Sequence, residues 1–258
     1  MMFLFDNLIY WPIYNLLIFV YNIDPFHDFG VAIIFVTVII KFLLLPLSRK
    51  QIETQKKMQE LQPKIKEIQE KYKNDKEKQS RALMEFYKVN KANPFSGCLP
   101  MIFQLVFLIA IYRVLFNISQ NGLMVNGADL YGFMHNPGQI NRFFLGLVDL
   151  SKAADFKIFD AGNLAHIAIV VAAAGAQYIQ TKMLMAKQST APAKKGAMDF
   201  SQIMSKQMLY LAPAMTLFIG IKFPAGLALY WLVSTLFMIA QQEYMERKQA
   251  QAGVVADK

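Results

Sequence analysis

Cysteine is almost absent: Cys98 is the single one in 258 residues, so neither an intrachain disulfide nor a cysteine-based zinc cluster is possible. Histidine is scarce too, at three residues, and no second ligand lies near His166 to make a metal site. Charge is thin, at 17% of the chain against roughly 25% in ordinary soluble domains. Acid is the scarcer sign, since 18 Asp+Glu face 27 Lys+Arg for a net charge of +9. No stretch reads G-x-x-x-x-G-K-[ST], H-E-x-x-H or G-x-S-x-G, which excludes a P-loop, a zincin helix and a nucleophile elbow. None of the long apolar runs contains Asp or Glu, so paired-carboxylate chemistry and a proton relay lack their groups. No internal repeat is visible, which counts against a transporter built from inverted halves. The expectation is a protein that is not an enzyme, with no cofactor and no metal.

What the sequence has in abundance is apolar surface. Hydrophobic residues make up 55%, with 21 Phe and 15 Met, and the mean hydropathy is +0.29. Lipid is the main solvent. Gly30–Leu47, Leu99–Phe116, Leu164–Met185, Ile203–Ile221 and Pro224–Ala240 are apolar runs near the ~20 residues a spanning helix needs. Only Lys222-Phe223 separates the last two, which predicts a tight antiparallel pair. The fold class expected is all-α integral membrane: five transmembrane helices around a cytoplasm-open hydrophilic groove, a cytoplasmic helical hairpin and an N-terminal interfacial helix. By residue number the expected parts are 1–28 interfacial helix, 29–48 first span, 49–97 hairpin and 98–117 second span. There follow 118–162 extracytoplasmic loop, 163–186 third span, 187–202 cytoplasmic loop, 203–222 fourth span, 223–242 fifth span and 243–258 basic tail.

Lys and Arg set the orientation. Thirteen lie between Arg49 and Lys91, Lys187, Lys194, Lys195 and Lys206 lie in or beside the third-to-fourth connection, and Arg247, Lys248 and Lys258 in the tail. All three segments fall on one side of a five-span chain, which puts the N-terminus outside and the C-terminus in the cytoplasm. A membrane facing the cytoplasm on one side is the expected location. The apolar Leu8–Tyr21 stretch is fourteen residues, which at ~1.5 Å each reaches only about 21 Å, short of the hydrocarbon core. Asn7, Trp11, Asn15 and Asn22 would line one face, as in a helix lying in the outer interface; a sixth span is the alternative. A basic n-region and an A-x-A-like cleavage site are both missing, so a signal peptide is not expected.

Between the first two spans, Ile52, Met58, Leu61, Ile65, Ile68 and Tyr72 recur mostly three and four apart, an amphipathic helix. Asn74-Asp75 interrupts it before a second helix carrying Leu83, Met84 and Tyr87. An antiparallel hairpin is the simplest fold, a solvated helical spacer the alternative. Ser189–Gly196 reads as a flexible linker, and 118–160 as mostly loop.

Lys41 is the most informative residue, because an ionisable side chain inside a span is costly. It either serves a functional site or snorkels to the headgroups. Gln104, Gln177, Gln180, Thr181, Ser234, Thr235, Gln241 and Gln242 also lie within spans or at their cytoplasmic ends. Polar groups in lipid need partners or water, and together these would line a wet cavity open to the cytoplasm. Ile109, Ile111 and Ile169 would close its outer side. Trp231, away from the usual interfacial belt, either packs the bundle or meets a passing apolar segment. The Met residues around the third and fourth spans either fill the core or serve adaptable apolar binding. Arg113, near the outer end of its span, is expected to snorkel outward.

The residues then match a family. Lys41-Phe-Leu-Leu-Leu-Pro46-Leu47, Leu61-Gln62-Pro63-Lys64, Asn93-Pro94 with Gly97-Cys98-Leu99-Pro100, and Phe223-Pro224-Ala225-Gly226-Leu227 with Tyr230-Trp231 and Gln241-Gln242 resemble the YidC/Oxa/Alb membrane insertases. The resemblance runs from about Asn7 to Gln242. It implies a five-helix core around a groove that receives nascent membrane proteins, with Lys41, Gln104, Gln177, Gln180, Tyr230, Trp231, Ser234, Thr235 and Gln241 as client-contacting residues. It further implies partners: the lipid bilayer, a ribosome or targeting receptor met by the hairpin and basic tail, and the Sec translocon for some clients. No specific nucleic-acid sequence is expected. Lys41 departs from the family's usual Arg, keeping the charge without the bidentate fork, and Thr235 stands where Asn is common. Neither the large periplasmic domain of Gram-negative members nor the lipoprotein signal of many Gram-positive ones is seen, as in a minimal bacterial form. A small ion channel or transporter, and a membrane scaffold, are the rival classes.

Overall fold

The computed structural model describes residues 2–93, 99–155, 157–185 and 200–256. Those residues form nine α-helices and one small β-hairpin. The helices are α1 (Met2–Phe5), α2 (Trp11–Ile23), α3 (Phe29–Leu43), α4 (Leu45–Lys71), α5 (Lys76–Val89), α6 (Leu99–Gln120), α7 (Ala161–Met185), α8 (Phe200–Lys222) and α9 (Ala225–Ala256). The strands are β1 (Phe143–Phe144) and β2 (Val148–Asp149), paired antiparallel. The linker expected at 189–196 and the middle of the Asn93-Pro94…Gly97-Cys98 motif lie outside the described residues.

The N-terminal segment is longer than its apolar run. A π-helical turn, Asp6–Tyr10, joins α1 to α2, so that Phe3–Ile23 forms 21 residues long and apolar enough to cross a membrane. Asp6 and Asn7 interrupt the hydrophobicity without ending the helix: Asp6 pairs with Arg113, and Asn7 donates to its own Phe3 carbonyl. The wide turn also shifts the helical register. Asn15 and Asn22 therefore face the connection after α6, bonding the carbonyls of Asp129 and His135, while Asn7 turns to the surface. The expected shared face loses Asn7 for that reason.

Asp28 starts α3 as an N-cap, accepting the amides of Gly30 and Val31. The first expected span ends earlier than residue 48. Pro46 has no N–H for the helical ladder, and the chain bends by 62° between Phe29–Leu43 and Leu45–Thr54. Residues 45–48 thus belong to α4, which runs 27 residues straight through Pro63. The Tyr72–Asp75 turn reverses the chain, and Gln79 donates to the Gln69 carbonyl across it at 2.7 Å. Asp75 caps α5 through the Lys78 amide, and that amide with the Lys78 ammonium holds its exposed carboxyl below the usual range.

α9 is the central helix, packing against α3, α6, α7 and α8. It continues to Ala256, so the residues expected to follow the fifth span as a separate tail extend the same helix. Its start is fastened: the Ala225 and Gly226 amides donate to the carbonyls of Lys152 and Leu150, and the Ala154 amide to Ile221 at the end of α8. Gly226 lets α9 approach closely, since a Cβ there would meet Leu115 at 3.1 Å and Ile33 at 3.4 Å. The β-hairpin was not expected of an all-α chain; its strands are two residues each, too short to leave a periodicity.

Among the described residues three helices are long and apolar enough to span, Phe3–Ile23, Ala161–Leu184 and Ala225–Lys248; the bent α3–α4 pair makes a fourth when counted as one. α6 and α8 carry shorter apolar stretches, Gln104–Gln120 and Leu209–Lys222.

Candidate functional site

The site is organised by one stripe of α9. Tyr230, Trp231, Ser234, Thr235, Met238, Gln241 and Gln242 follow at helical spacing, and Tyr230, Ser234, Thr235, Gln241 and Gln242 are buried. A polar stripe this deep in an apolar helix must find partners on its neighbours.

Lys41, in the last turn of α3, supplies the charge. Its Nζ donates to Gln104 Oε1 of α6 at 3.1 Å and lies 3.2 Å from Met238 Sδ of α9. The same Gln104 oxygen accepts from Ser234 Oγ at 3.0 Å, and the Tyr230 hydroxyl is within hydrogen-bond reach of both Ser234 and Gln104. One amide oxygen therefore ties three helices together. Among the described residues no carboxylate pairs with Lys41, so the ammonium is held by neutral groups. Beside it lies a cavity of about 60 Å³ lined by Lys41, Leu44, Leu47, Ser48, Gln51, Gln104, Phe107, Met238 and Gln241. That volume has room for a few water molecules; its lining is mostly apolar, with Lys41, Ser48, Gln51, Gln104 and Gln241 as the polar partners at its edge. Gln241 Nε2 donates to Ser48 Oγ at 2.7 Å, closing the cavity's edge between α9 and the start of α4.

A second polar cluster joins α9 to α7. Trp231 Nε1 donates to Gln177 Oε1 at 3.2 Å, and Gln177 Nε2 donates to Gln180 Oε1 at 3.2 Å. Thr181 Oγ1 donates back to the Gln177 carbonyl. Trp231 also touches a small apolar crevice lined by Val170, Ala173, Thr216, Gly220 and Leu227.

The structure thus brings Lys41, Gln104, Tyr230, Ser234 and Gln241 into one neighbourhood and Gln177, Gln180 and Trp231 into another. Thr235 is buried beside Ser234 and lines neither cavity. Met238, Ser48 and Gln51 were not foreseen as site residues. Met238 could have been found from its spacing, midway between Ser234 and Gln241 on the stripe; Ser48 and Gln51 depend on the bend at Leu44.

Toward the N-terminal end of α3 the polar groups give way to an apolar layer. Ile33 and Val36 of α3, Ile111 and Val114 of α6, and Leu227 and Leu229 of α9 are all buried. Ile109 does not join it: 43% exposed, it faces outward from the bundle, on the opposite side of α6 from buried Ile111 two residues on. Arg113 does not simply snorkel. It pairs with Asp6 at 2.5 Å and lies over the rings of Tyr10 and Phe5, at 4.7 and 5.5 Å from their centroids. His166 is buried in α7, with no partner for Nε2 among the described residues, which also hold no cluster of three or more His, Cys, Asp or Glu able to grip a metal.

Residues 19–252 match the family model described as 60Kd inner membrane protein. The chain belongs to that family. The match takes in Lys41, the whole α9 stripe and the α4–α5 arm. Relatives named membrane protein insertase YidC are 35% identical over 237 residues in Geotalea uraniireducens (strain Rf4), covering 92% of this chain and 37% of the relative. Another, from Syntrophobacter fumaroxidans (strain DSM 10017 / MPOB), is 36% identical over 234 residues, covering 88% and 37%. A third, from Shewanella woodyi (strain ATCC 51908 / MS32), is 34% identical over 234 residues, covering 91% and 36%. The chain spans little more than a third of these relatives' length. Family membership and the apolar helices together make this a membrane-embedded, multi-pass protein.

Proposed function

We propose that this protein is a membrane insertase: it receives hydrophobic segments of nascent membrane proteins from the cytoplasm and passes them into the bilayer. The observation that carries the reading is Lys41, a cation inside the bundle held by neutral acceptors next to a small cavity with room for water. A charge with no fixed counter-ion is free to attract an acidic residue of a client's tail and to release it.

The topology that suits this role has α3, α6, α7, α8 and α9 as five spans, with the α4–α5 arm and the end of α9 in the cytoplasm, as the Lys and Arg distribution requires. The N-terminal helix then lies along the outer interface although it is long enough to cross. What supports that placement is where it is tied: Asp6 near one end meets Arg113 of α6, and Asn22 near the other meets the His135 carbonyl. A helix running antiparallel to α3 through the membrane would carry its start toward Lys41 instead.

The physical task is moving a polar tail across lipid, where each Asp, Lys or Arg costs about 2.5–3.5 kcal/mol at the midplane. A hydrated half-groove shortens the dry path, and partition of the client's apolar segment into lipid drives the step without nucleotide. The apolar layer of Ile33, Val36, Ile111 and Val114 keeps the far side closed, which suits an insertase and leaves ions no continuous polar route. The basic arm and helix end would meet a ribosome, a targeting receptor or anionic lipid, and the protein would work alone or with the Sec translocon.

The test is a depletion–complementation assay scoring insertion of clients with acidic translocated tails. Lys41→Arg should retain insertion, and Lys41→Ala and Lys41→Glu should impair it. Equal activity of all three variants would remove Lys41 from the mechanism.

A further inference from the structure

The β-hairpin packs against the first turns of two apolar helices. Asp28, buried, uses one oxygen to cap α3 and the other to accept the Leu145 amide at 2.6 Å. The Phe144 ring lies so close over Gly30 that a Cβ there would come within 2.6 Å of Phe144 Cγ. On the other side a Cβ at Gly162, in the first turn of α7, would come within 2.6 Å of the Leu147 carbonyl oxygen. The tip is a turn with Leu145 and Gly146 at its two central positions, closed by the Leu147 amide on the Phe144 carbonyl, with φ of 52° at Leu145 and 68° at Gly146. Such turns favour Asn-Gly, because a branched side chain is strained at positive φ. Here the strained position displays a leucine that is 73% exposed.

Leu145 has apolar company. Phe143 and Leu147 flank it, 37% and 46% exposed. Phe26, in the turn leading into α3, is 82% exposed, and Phe159, just before α7, is 83% exposed. Three separate chain segments therefore present exposed apolar side chains at the starts of the same two helices. The base of the hairpin is basic. Arg142 lies over the Phe143 ring at 5.2 Å and pairs with Asp149 at 3.3 Å, while Lys152, largely exposed, lies 3.5 Å from the same carboxylate, so that two cations share one acid. An exposed apolar tip with cations at its base is the arrangement by which Lys and Arg reach phosphates while their neighbours enter the acyl region.

We infer that the β-hairpin, with Phe26 and Phe159, is a lipid-binding prong: Leu145 and its neighbours enter the headgroup–acyl boundary of the leaflet at which α3 begins, and Arg142 and Lys152 engage lipid phosphate. The inference rests on the membrane placement of α3 and α7 and is independent of any client. By fixing the depth of the α3 start, the prong also fixes the depth of Lys41 at its other end.

The experiment uses the full chain with Cys98→Ser, labelled with an environment-sensitive fluorophore at Leu145→Cys. Arg81→Cys on α5 serves as the water-exposed reference. Both are reconstituted in vesicles of phosphatidylethanolamine with phosphatidylglycerol. The expected result is blue-shifted emission at residue 145, quenched several-fold more than at residue 81 by a lipid nitroxide placed near the headgroup. Because residue 145 is exposed, the substitution leaves the packing intact. Quenching by aqueous iodide equal to that at residue 81 would overturn the inference. So would blue-shifted emission that neither quencher reaches, which would mean the tip is covered by protein instead of lipid.

Discussion

Gln104 offers the sharpest test of the site, because its one side-chain oxygen accepts from both Lys41 and Ser234. Replacing it by Leu keeps the volume roughly constant and removes both bonds. A hydrogen bond to a charged group contributes about 1.5–3 kcal/mol and a neutral one about 0.5–1.5 kcal/mol. The cavity beside Lys41 has room for water, which would restore part of the ammonium's solvation. The net cost of Gln104→Leu should therefore be about 1–3 kcal/mol, toward the lower end if water enters. Lys41→Met should behave differently. It removes the buried charge along with its need for an acceptor, and such replacements are often neutral or stabilising. In the Lys41→Met background, Gln104→Leu should cost about 1–2 kcal/mol less than in the parent, the remainder being the Ser234 bond and the Tyr230 contact. The assay is an SDS titration of the purified protein in mixed micelles, run as a double-mutant cycle. Identical costs of Gln104→Leu in both backgrounds, within about 0.3–0.5 kcal/mol, would show that Lys41 and Gln104 are not coupled and that the charge is held by something else.

Arg113→Ala should destabilise by about 1–2 kcal/mol and speed proteolysis within residues 2–10, since the ion pair and ring contacts are partly shielded; the swap Asp6→Arg with Arg113→Asp should recover protection, and no change in cleavage would break the link. Gly220→Ala places a Cβ 2.7 Å from a Val170 methyl and should cost about 1–3 kcal/mol in the same titration, with Val170→Ala restoring part of it. In a Cys98→Ser background, cysteines at Gln104 and Ser48 should react with membrane-impermeant maleimide from the cytoplasmic side and a cysteine at Ile111 from neither; labelling of residue 104 from the outside would contradict a half-open groove. Deleting 53–88 should lower client insertion yet leave protease-resistant membrane fragments, and loss of those fragments would make the α4–α5 arm part of the core.

The apolar runs determined by themselves that this is a helical membrane protein, because twenty or so consecutive apolar residues have few other stable solutions in a chain this poor in charge. The Lys and Arg distribution suggested an orientation, and the lone cation Lys41 marked the place to look. Local spacing also went far along α9, where residues three and four apart had to share a face. Contacts between distant segments were another matter. That Gln104 serves Lys41 and Ser234 at once, and that Gln177 turns to Trp231 instead, depends on how α6 and α7 rotate against α9. The sequence assigns each residue a face of its own helix but does not say which neighbour that face meets. The N-terminal helix shows the same division. Its hydrophobic run read as fourteen residues, and only the pairing of Asp6 with Arg113, 107 positions away, accounts for a helix that continues past its polar break. The bend at Leu44 and the two-residue strands escaped for a related reason: a single proline is compatible with several geometries, and a hairpin of two pairs leaves no period to detect. What tertiary structure decided was the set of partners, since partner choice is a property of helix packing, which no local pattern encodes.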